Sequence, residues 1–394
     1  MAEVVIVDGV RTAIGRFGGS LAGMPAADLG AQVVAEAIRR SGVEAGAVEE
    51  VVMGCVGQVA EDAFVARTAA LGAGLPAAST AFTVNRLCGS GLQAILSAGQ
   101  AIRAGDLDVA VAGGVENMSR LPFYLRQHRD GRRLGHDEVQ DGVIMALTDP
   151  FGPRHMGVTA EAVARRHSVS RQDQDEFAAE SQARAGQAID DGRFTGQILP
   201  LPVPGSRKGE TVTFAQDEHP RRGVTVESLG RLGPAFEAGG TVTAGNSSGI
   251  NDAAAAVVVT SDSYAAAHGW SPRLRLVAGA VAGVEPLYMG MGPVPAIRRV
   301  LAKSGLSLAD IDVVELNEAF AAQAVAVIRE AGLDPQRTNP NGGAIALGHP
   351  IGATGAILTV KAMAELERGG GRYALVTMCI GGGQGIAAVF ERLR

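Results

Sequence analysis

The chain has 394 residues, more than one hydrophobic core normally serves, so two or three packed units are expected. Apolar residues make up 46%, glycine occurs 54 times and aromatics are only 4%, which suits tight turns and close helix-on-sheet packing; three cysteines exclude a disulfide-held scaffold. A net charge of −6 argues against general nucleic-acid binding, which needs a basic field, yet leaves room for a small anion on a local basic patch.

The first residues, MAEVVIVDGVRT, read as a strand with no basic and apolar leader before it, so no secretory signal is expected. No apolar run approaches the roughly 18 residues of a membrane span. So few cysteines fit a reducing, cytoplasmic setting. Further along, short β-branched runs alternate with helical stretches. EVVIV reads as a strand, ADLGAQVVAEAIRRSG as a helix, VEEVVMGCV as a strand and ARTAALGAGL as a helix. AFTVN is then a strand, SGLQAILSAGQAIRAGD a helix and DVAVAGGVE a strand. Near-continuous apolar strands between helices predict an α/β layer architecture with the sheet covered on both faces.

From Arg120 to about Gly240 the composition turns polar, with HRDGRRLGHDEVQDG, an amphipathic helix over Arg171–Asp190 and the turn-rich LPLPVPGSRKGE. This reads as a subdomain lying over one end of the core. The α/β pattern then returns as a repeat. AIRRSGVEAGAVEEVVMGC lies over VLAKSGLSLADIDVVELNE, GSGLQAIL over ATGAILTV, and DVAVAGG over RYALVTM, in the same order at an offset of about 264 positions.

Four candidates for chemistry follow predicted strands, at the edge where α/β sheets assemble their sites. Cys88, in NRLCGSGLQA, falls in the turn ahead of a helix, whose N-terminal N–H groups would favour a thiolate; Gly89 and Gly91 would permit a strained turn. The alternative is a small buried cysteine. His349, between Gly348 and Pro350, is a base within reach of a nucleophile or a surface-loop histidine. Cys379 precedes a triple-glycine, hairpin-like turn whose N–H groups suit an oxyanion, or is a buried cysteine before a wide turn. Asn317 reads first as a helix N-cap, and otherwise as an amide that holds a water or a substrate carbonyl.

Together these segments resemble the thiolase family, the acyl-CoA C-acetyltransferases. VRTAIGRFGGSL, NRLCGSGLQAI, AGGVENMS, HMGVTAE, AGNSSGINDAAAA, MGMGPVPA, ELNEAFAAQA, GGAIALGHPIGATGA and CIGGGQG look like family signatures in family order, spanning essentially the whole chain. The resemblance implies two duplicated βαβαβαββ halves, 1–119 with 241–270 and 271–394. They would form a five-layer αβαβα core, with 120–240 as a loop domain over the site. It implies that Cys88 carries the acyl group as a thioester and that His349 activates it. Cys379 would be the second acid/base. His349 and a water on Asn317 would form one oxyanion hole, and the N–H groups of Cys88 and Gly381 the other. Ser248, His155 and Met156 would line the pantetheine channel, Phe320, Met289 and Met156 the acyl pocket, and Arg221 would meet the CoA nucleotide.

The expected reaction is ping-pong condensation of two acetyl-CoA to acetoacetyl-CoA, or its reverse, on CoA thioesters and with no permanently bound cofactor. The expected assembly is a homodimer or homotetramer. No zinc-like spacing of histidines and cysteines predicts a metal site. A broader 3-ketoacyl-CoA thiolase is the alternative, although FGPRHMG and MGMGPVPA favour short acyl chains. Departures from the family pattern include Asn117 where Ser is common and Gly233 where a basic residue is common, with Arg231 nearby. A ketoacyl synthase would lack Cys379, and a non-catalytic acyl carrier is expected to have lost one of the four candidates. Oxidation joining Cys88 to Cys379 is a further expectation, provided their Cα atoms lie within about 7 Å.

Overall fold

The computed structural model describes residues 2–393 apart from Asp130, Arg132, Ser206 and Lys208. Those four fall in the two turn-rich stretches of the polar excursion. With Met1 and Arg394, at the outer limits of the two expected halves, they lie outside the described residues.

The principal strands are β1 (Val4–Thr12), β2 (Glu50–Gly54), β3 (Thr80–Val84), β4 (Val109–Asn117) and β5 (Asn251–Ser261), then β6 (Leu274–Gly283), β7 (Val313–Leu316), β8 (Tyr373–Ile380) and β9 (Gln384–Arg392). Most are apolar in unbroken runs, and β4 and β5 are buried along their whole length. Such strands have no solvent face and must be covered on both sides. They lie in one eleven-stranded sheet in the order β7-β8-β9-β6-β1-β5-β4-β2-β3, with two short strands paired to the ends of β1 and β5.

The repeat is topological. In the first half β2 runs parallel to β4, β4 antiparallel to β5, and β5 antiparallel to β1. In the second, β7 runs parallel to β8, β8 antiparallel to β9, and β9 antiparallel to β6. Where the first half has the edge strand β3, the second has only the bridge between Val314 and Thr338. The halves join where Val5 and Ile6 pair with Arg275 and Leu274.

Helices α1 (Ala26–Ser41) and α2 (Val65–Gly72) cover the outer face of the first half. In α1 the buried Leu29, Val33, Val34, Ala37 and Ile38 recur at helical spacing, and Gly42 ends the helix at φ 69°. Helix α3 (Ser90–Ala104) follows β3. The polar excursion contributes α4 (Met156–Arg166) and α5 (Arg171–Asp190). In the second half α6 (Pro293–Ser304) and α7 (Ala321–Ala331) lie outside, and α8 (Thr354–Gly369) is the counterpart of α3. Helices α3 and α8 pack on each other, and each touches strands of both halves, so they are the middle layer of an αβαβα stack.

The polar excursion is locked to this stack at named points. Helix α5 spans the residues expected of it and opens with a capping box between Ser170 and Asp173. Ala160 and Val163 of α4 join the apolar cluster of the second half, while Phe194, Ile198 and Leu201 join the larger cluster that spans both halves. Arg11 of β1 and Asp217 form an ion pair at 2.7 Å with both side chains fully buried. Asp217 also accepts the N–H of Ile14 at 2.8 Å. Removing either partner of such a pair costs roughly 3–5 kcal/mol, because it strands a buried charge. No described helix is long and apolar enough to cross a membrane.

The middle layer is unusually tight at one point. A Cβ on Gly355 would stand 2.2 Å from the backbone nitrogen of Leu92, and one on Gly91 would stand 2.9 Å from that of Ala356. The first turns of α3 and α8 therefore touch backbone to backbone. Gly355→Ala is expected to destabilise the protein by roughly 1–3 kcal/mol through overpacking. Gly46→Ala, with nothing within 4 Å, is expected to change stability by less than about 1 kcal/mol. Urea midpoints of the two variants check this.

Candidate active site

The crossing of α3 and α8 brings together the two segments that precede them. Cys88 ends the turn between β3 and α3, and His349 lies in the loop ahead of α8. Both line one cavity of about 650 Å³. Gly381, Ser248, Arg221, His155, Met156, Met289 and Phe320 line the same cavity. Asn317 and Cys379 do not; they are buried in the protein beside it.

The turn at Cys88 is strained, but not at its glycines. Leu87, immediately before the cysteine, takes φ 44°, a left-handed conformation that costs a branched side chain about 1–3 kcal/mol. Gly89 has φ −85° and serves instead as a contact point, since a Cβ there would press on Ile380 at 2.7 Å. Ser90 fastens the turn by donating its hydroxyl to the Leu87 carbonyl at 2.6 Å and accepting the N–H of Arg86 at 2.9 Å.

The burial of Cys88 works against the ready thiolate expected at a helix N-terminus. Burial pushes the thiol up to about 11, and outweighs the N–H groups of Gly381 and Cys88 itself, which favour the anion. Burial also pushes His349 down to about 4. The resting pair is thus a neutral thiol and a neutral imidazole. A helix N-terminus stabilises charge by about 1 kcal/mol, too little to offset removal from water.

His349 is 7% exposed, so it is no surface-loop residue. Its N–H donates to Asn251 Oδ1 at 3.0 Å, its Nδ1 lies 2.7 Å from Thr354 Oγ1, and its Nε2 lies 3.4 Å from Asn317 Nδ2. Asn317 is not the N-cap of α7, a position held by Phe320. The loop 317–320 instead carries the Asn317 side chain to His349, and Asn317 Oδ1 has no protein partner. Cys379 is the second-last residue of β8, just before the glycine turn into β9, as expected, with Gly382 at φ 78° and Gly383 at φ 86°. Burial raises its thiol far above the usual range, and the charge of a Cys88 thiolate would raise it further, which places the two sulfurs in one electrostatic neighbourhood.

One side of the cavity comes from the polar excursion. His155 caps α4 through Nδ1, which accepts the Gly157 N–H at 3.1 Å. Its ring stacks on Phe236 with centroids 4.9 Å apart, and Phe236 meets Phe320 edge-on at 6.0 Å. Arg221 is exposed at the cavity rim, and its N–H donates to Gln182 Oε1 at 2.8 Å. Its neighbour His219 also lines the cavity; burial, then the charge of Arg221, lowers it to about 4.

Sequence reasoning missed Phe236, His219 and Thr354. RLGPAF drew attention only to its glycine, although a lone phenylalanine in a polar stretch was a signal of burial. The departure at Asn117 is structural: its amide donates to the Leu21 carbonyl at 3.0 Å and the Met24 carbonyl at 2.7 Å. Gly233 is exposed with nothing within 4 Å of its Cβ position, and Arg231 is exposed outside the cavity lining.

The comparisons with known proteins agree with this geometry. The family profile "Thiolase, N-terminal domain" matches residues 4–263, and "Thiolase, C-terminal domain" matches 270–392. The beta-ketothiolase BktB of Cupriavidus necator is 55% identical over 393 residues, 99% of each chain. An acetyl-CoA acetyltransferase of Pseudomonas aeruginosa is 50% identical over 393 residues, 100% of each chain. The crystal structure of the Bacillus anthracis acetyl-CoA acetyltransferase superposes with a TM-score of 0.98 at 46% identity, covering 100% of this chain and 99% of that one. With both family profiles laid end to end along it and a solved relative of the same fold over its full length, the chain belongs to the thiolase family and is an acyltransferase.

Proposed function

We propose that this acyltransferase is an acetyl-CoA C-acetyltransferase. It joins two acetyl-CoA into acetoacetyl-CoA and CoA, or cleaves the product in reverse, by a ping-pong mechanism through an acyl-thioester on Cys88. The observation that carries the reading is one cavity lined by Cys88, His349 and Gly381, with the Gly381 N–H placed to favour an anion on the cysteine. Coenzyme A thioesters are the substrates, and no permanent cofactor enters the steps below.

The resting pair is neutral, so the thiol gives up its proton only as it attacks. In this reading Cys88 Sγ bonds to the acetyl carbonyl carbon while its proton passes to His349. The carbonyl oxygen gathers negative charge against the N–H groups of Cys88 and Gly381, donors already fixed by the turn and so needing no reorganisation. The intermediate collapses to the thioester, and Cys379 gives its proton to the departing CoA sulfur. The Cys379 thiolate then takes a proton from C2 of a second acetyl-CoA. Burial, which makes Cys379 a poor acid, makes its thiolate a strong base for that carbon. The enolate oxygen rests against His349 and the water that Asn317 holds, a role supported by the unpartnered Oδ1. The enolate carbon attacks the acyl-Cys88 carbonyl, acetoacetyl-CoA leaves, and His349 returns its proton to Cys88.

Ser248, His155 and Met156 line the channel for the pantetheine arm, and Met289, Phe320 and Met156 the pocket for the acyl group. Arg221, exposed at the rim, meets the phosphates of the nucleotide. We read 120–240 as the loop domain, 1–119 with 241–270 as one half and 271–394 as the other. The protein is placed in the cytoplasm, which its free cysteines favour. It is read as a homodimer or homotetramer. The bare edge strand β3 with its exposed Phe82, and the exposed Phe123, Leu134 and Val139, support such an assembly.

Three outcomes test this reading. Incubation with labelled acetyl-CoA should leave label on the Cys88 peptide. Cys88→Ala should carry none and lose activity by roughly 10³-fold or more; unlabelled wild-type protein would overturn the acyl-thioester on Cys88. Thiolysis across a series from acetoacetyl-CoA to 3-ketohexadecanoyl-CoA should fall with length, whereas activity rising with length establishes the broader 3-ketoacyl-CoA thiolase. Below a raised pKa the thiolate fraction grows with pH, so alkylation of free Cys88 by iodoacetamide should climb continuously toward about 11. A rate already flat below about pH 7 would reveal a thiolate–imidazolium pair instead.

Phe82→Asp, which sets like charges along the edge strand, should shift the mass in light scattering to that of a single chain. An unchanged oligomer would place the interface elsewhere.

A further inference from the structure

The side chain of Thr354 is buried at the first residue of α8, five positions after His349, and has no contact with the cavity. Its Oγ1 lies 2.7 Å from His349 Nδ1 and 2.9 Å from the Pro350 carbonyl. A hydroxyl has one proton to give and two lone pairs to offer. Donation to the carbonyl four residues back is the ordinary bond of a threonine hydroxyl in a helical turn, and it leaves Oγ1 facing the imidazole as an acceptor. On the other side of the ring Asn317 Nδ2, a donor, lies 3.4 Å from Nε2. A proton on Nε2 would set two donors against each other. Both contacts therefore assign the proton to Nδ1 and leave Nε2 bare.

We infer that Thr354 is a positioning residue for acyl transfer: its hydroxyl oxygen accepts the Nδ1 proton of His349, and so holds the ring and the tautomer in which Nε2 can take the proton of Cys88. The inference rests on His349 being the base proposed above. The opposite arrangement, with the hydroxyl turned to donate to Nδ1, leaves a proton on Nε2 and removes the acceptor the first step needs. The loop is held independently of this bond. The His349 N–H is taken by Asn251 Oδ1 at 3.0 Å, and the Gly352 N–H by Glu116 Oε2 at 2.8 Å. Loss of the Thr354 hydroxyl thus frees the ring without releasing the backbone that carries it.

Thr354→Val keeps the shape and removes the acceptor, and Thr354→Ser keeps the acceptor and removes a methyl. Valine is expected to lower kcat about 10- to 100-fold with KM within about twofold, the usual range for losing a group that orients a histidine. Serine is expected to stay within about threefold of wild type, with melting temperatures recorded for both. Full kcat in the valine variant, equal losses in both variants, or a loss confined to KM overturns the inference. Nitrogen NMR of wild-type protein labelled with [15N]histidine, assigned with His349→Asn, supplies a readout free of variant folding. An Nδ1–H tautomer is expected, and an Nε2–H tautomer overturns the inference. Failure of wild-type Cys88 to take an acetyl label would overturn the proposed function itself, whereas label with an unaffected valine variant overturns only the role of Thr354.

Discussion

The site depends on one contact, the meeting of α3 and α8 backbone to backbone in the middle layer. Cys88 belongs to the first half and His349 to the second, and no covalent or local feature keeps them together. What does is that Leu92 N stands where a side chain on Gly355 would be, and Ala356 N where one on Gly91 would be. Helices normally pack with axes about 8–10 Å apart; bare backbone at the crossing lets the first turns come closer. Because each helix begins at the crossing, the loops leading into them emerge side by side. Duplication supplies the symmetry of this arrangement, with Ser90 and Thr354 opening equivalent helices. The halves have then diverged in what they carry to the meeting point, the proposed nucleophile on one and the proposed base on the other.

Protein surrounds both groups beside this crossing, and the electrostatics follow from that. Cys88 and His349 are moved apart in pKa, to about 11 and about 4, by the same cause acting on opposite charge types. An ion pair at rest would have to survive in a medium that penalises both charges. The neutral pair avoids that cost, and in the proposed mechanism charge appears only when a thioester oxygen is present to accept it near the N–H groups of Cys88 and Gly381. The fully buried Glu116 contributes to the same balance. It takes the N–H groups of Val56 at 3.0 Å, Gly57 at 2.8 Å and Gly352 at 2.8 Å, and its charge, when present, opposes a thiolate on Cys88. It therefore braces the loop of His349 from the opposite half while discouraging premature ionisation.

Much of the fold was legible because it rests on repeated, local signals. The β-branched runs, the helix over Arg171–Asp190 with its capping box, the glycine turn after Cys379 and the recurrence of one half in the other all leave marks within a short window of sequence. The site was legible as a set of residue types but not in its physics. Asn317 looks like an N-cap because Asn before an apolar helical run usually is one; only the path of the chain shows that the helix starts four residues later and that the amide turns to His349. Cys88 looks like a thiolate because the helix that follows is visible and the density of protein around it is not. Strain fell on Leu87 and not on the neighbouring glycines, since those are consumed by contacts with Ile380 and with α8. Phe236 and His219 left no motif, because their roles come from a wall that folds back from far along the chain.

That wall separates two tasks. The groups proposed for bond making sit on the duplicated core, fixed by buried strands, by Asn251 and Glu116 at the histidine loop, and by the crossing of two helices. The excursion shapes one side of the cavity through His155, Met156, Phe236, His219 and Arg221, and the core shapes the other through Ser248, Met289 and Phe320. The excursion is tied down at Arg11–Asp217 and along α4, with connections such as the segment from His219 to Phe236 running between those anchors along the cavity. Substitutions in such connections can change the space available to an acyl chain without moving Cys88 relative to His349. A core that fixes the reaction and a wall that shares in setting the fit allow one fold to keep its chemistry while its acyl-chain range changes.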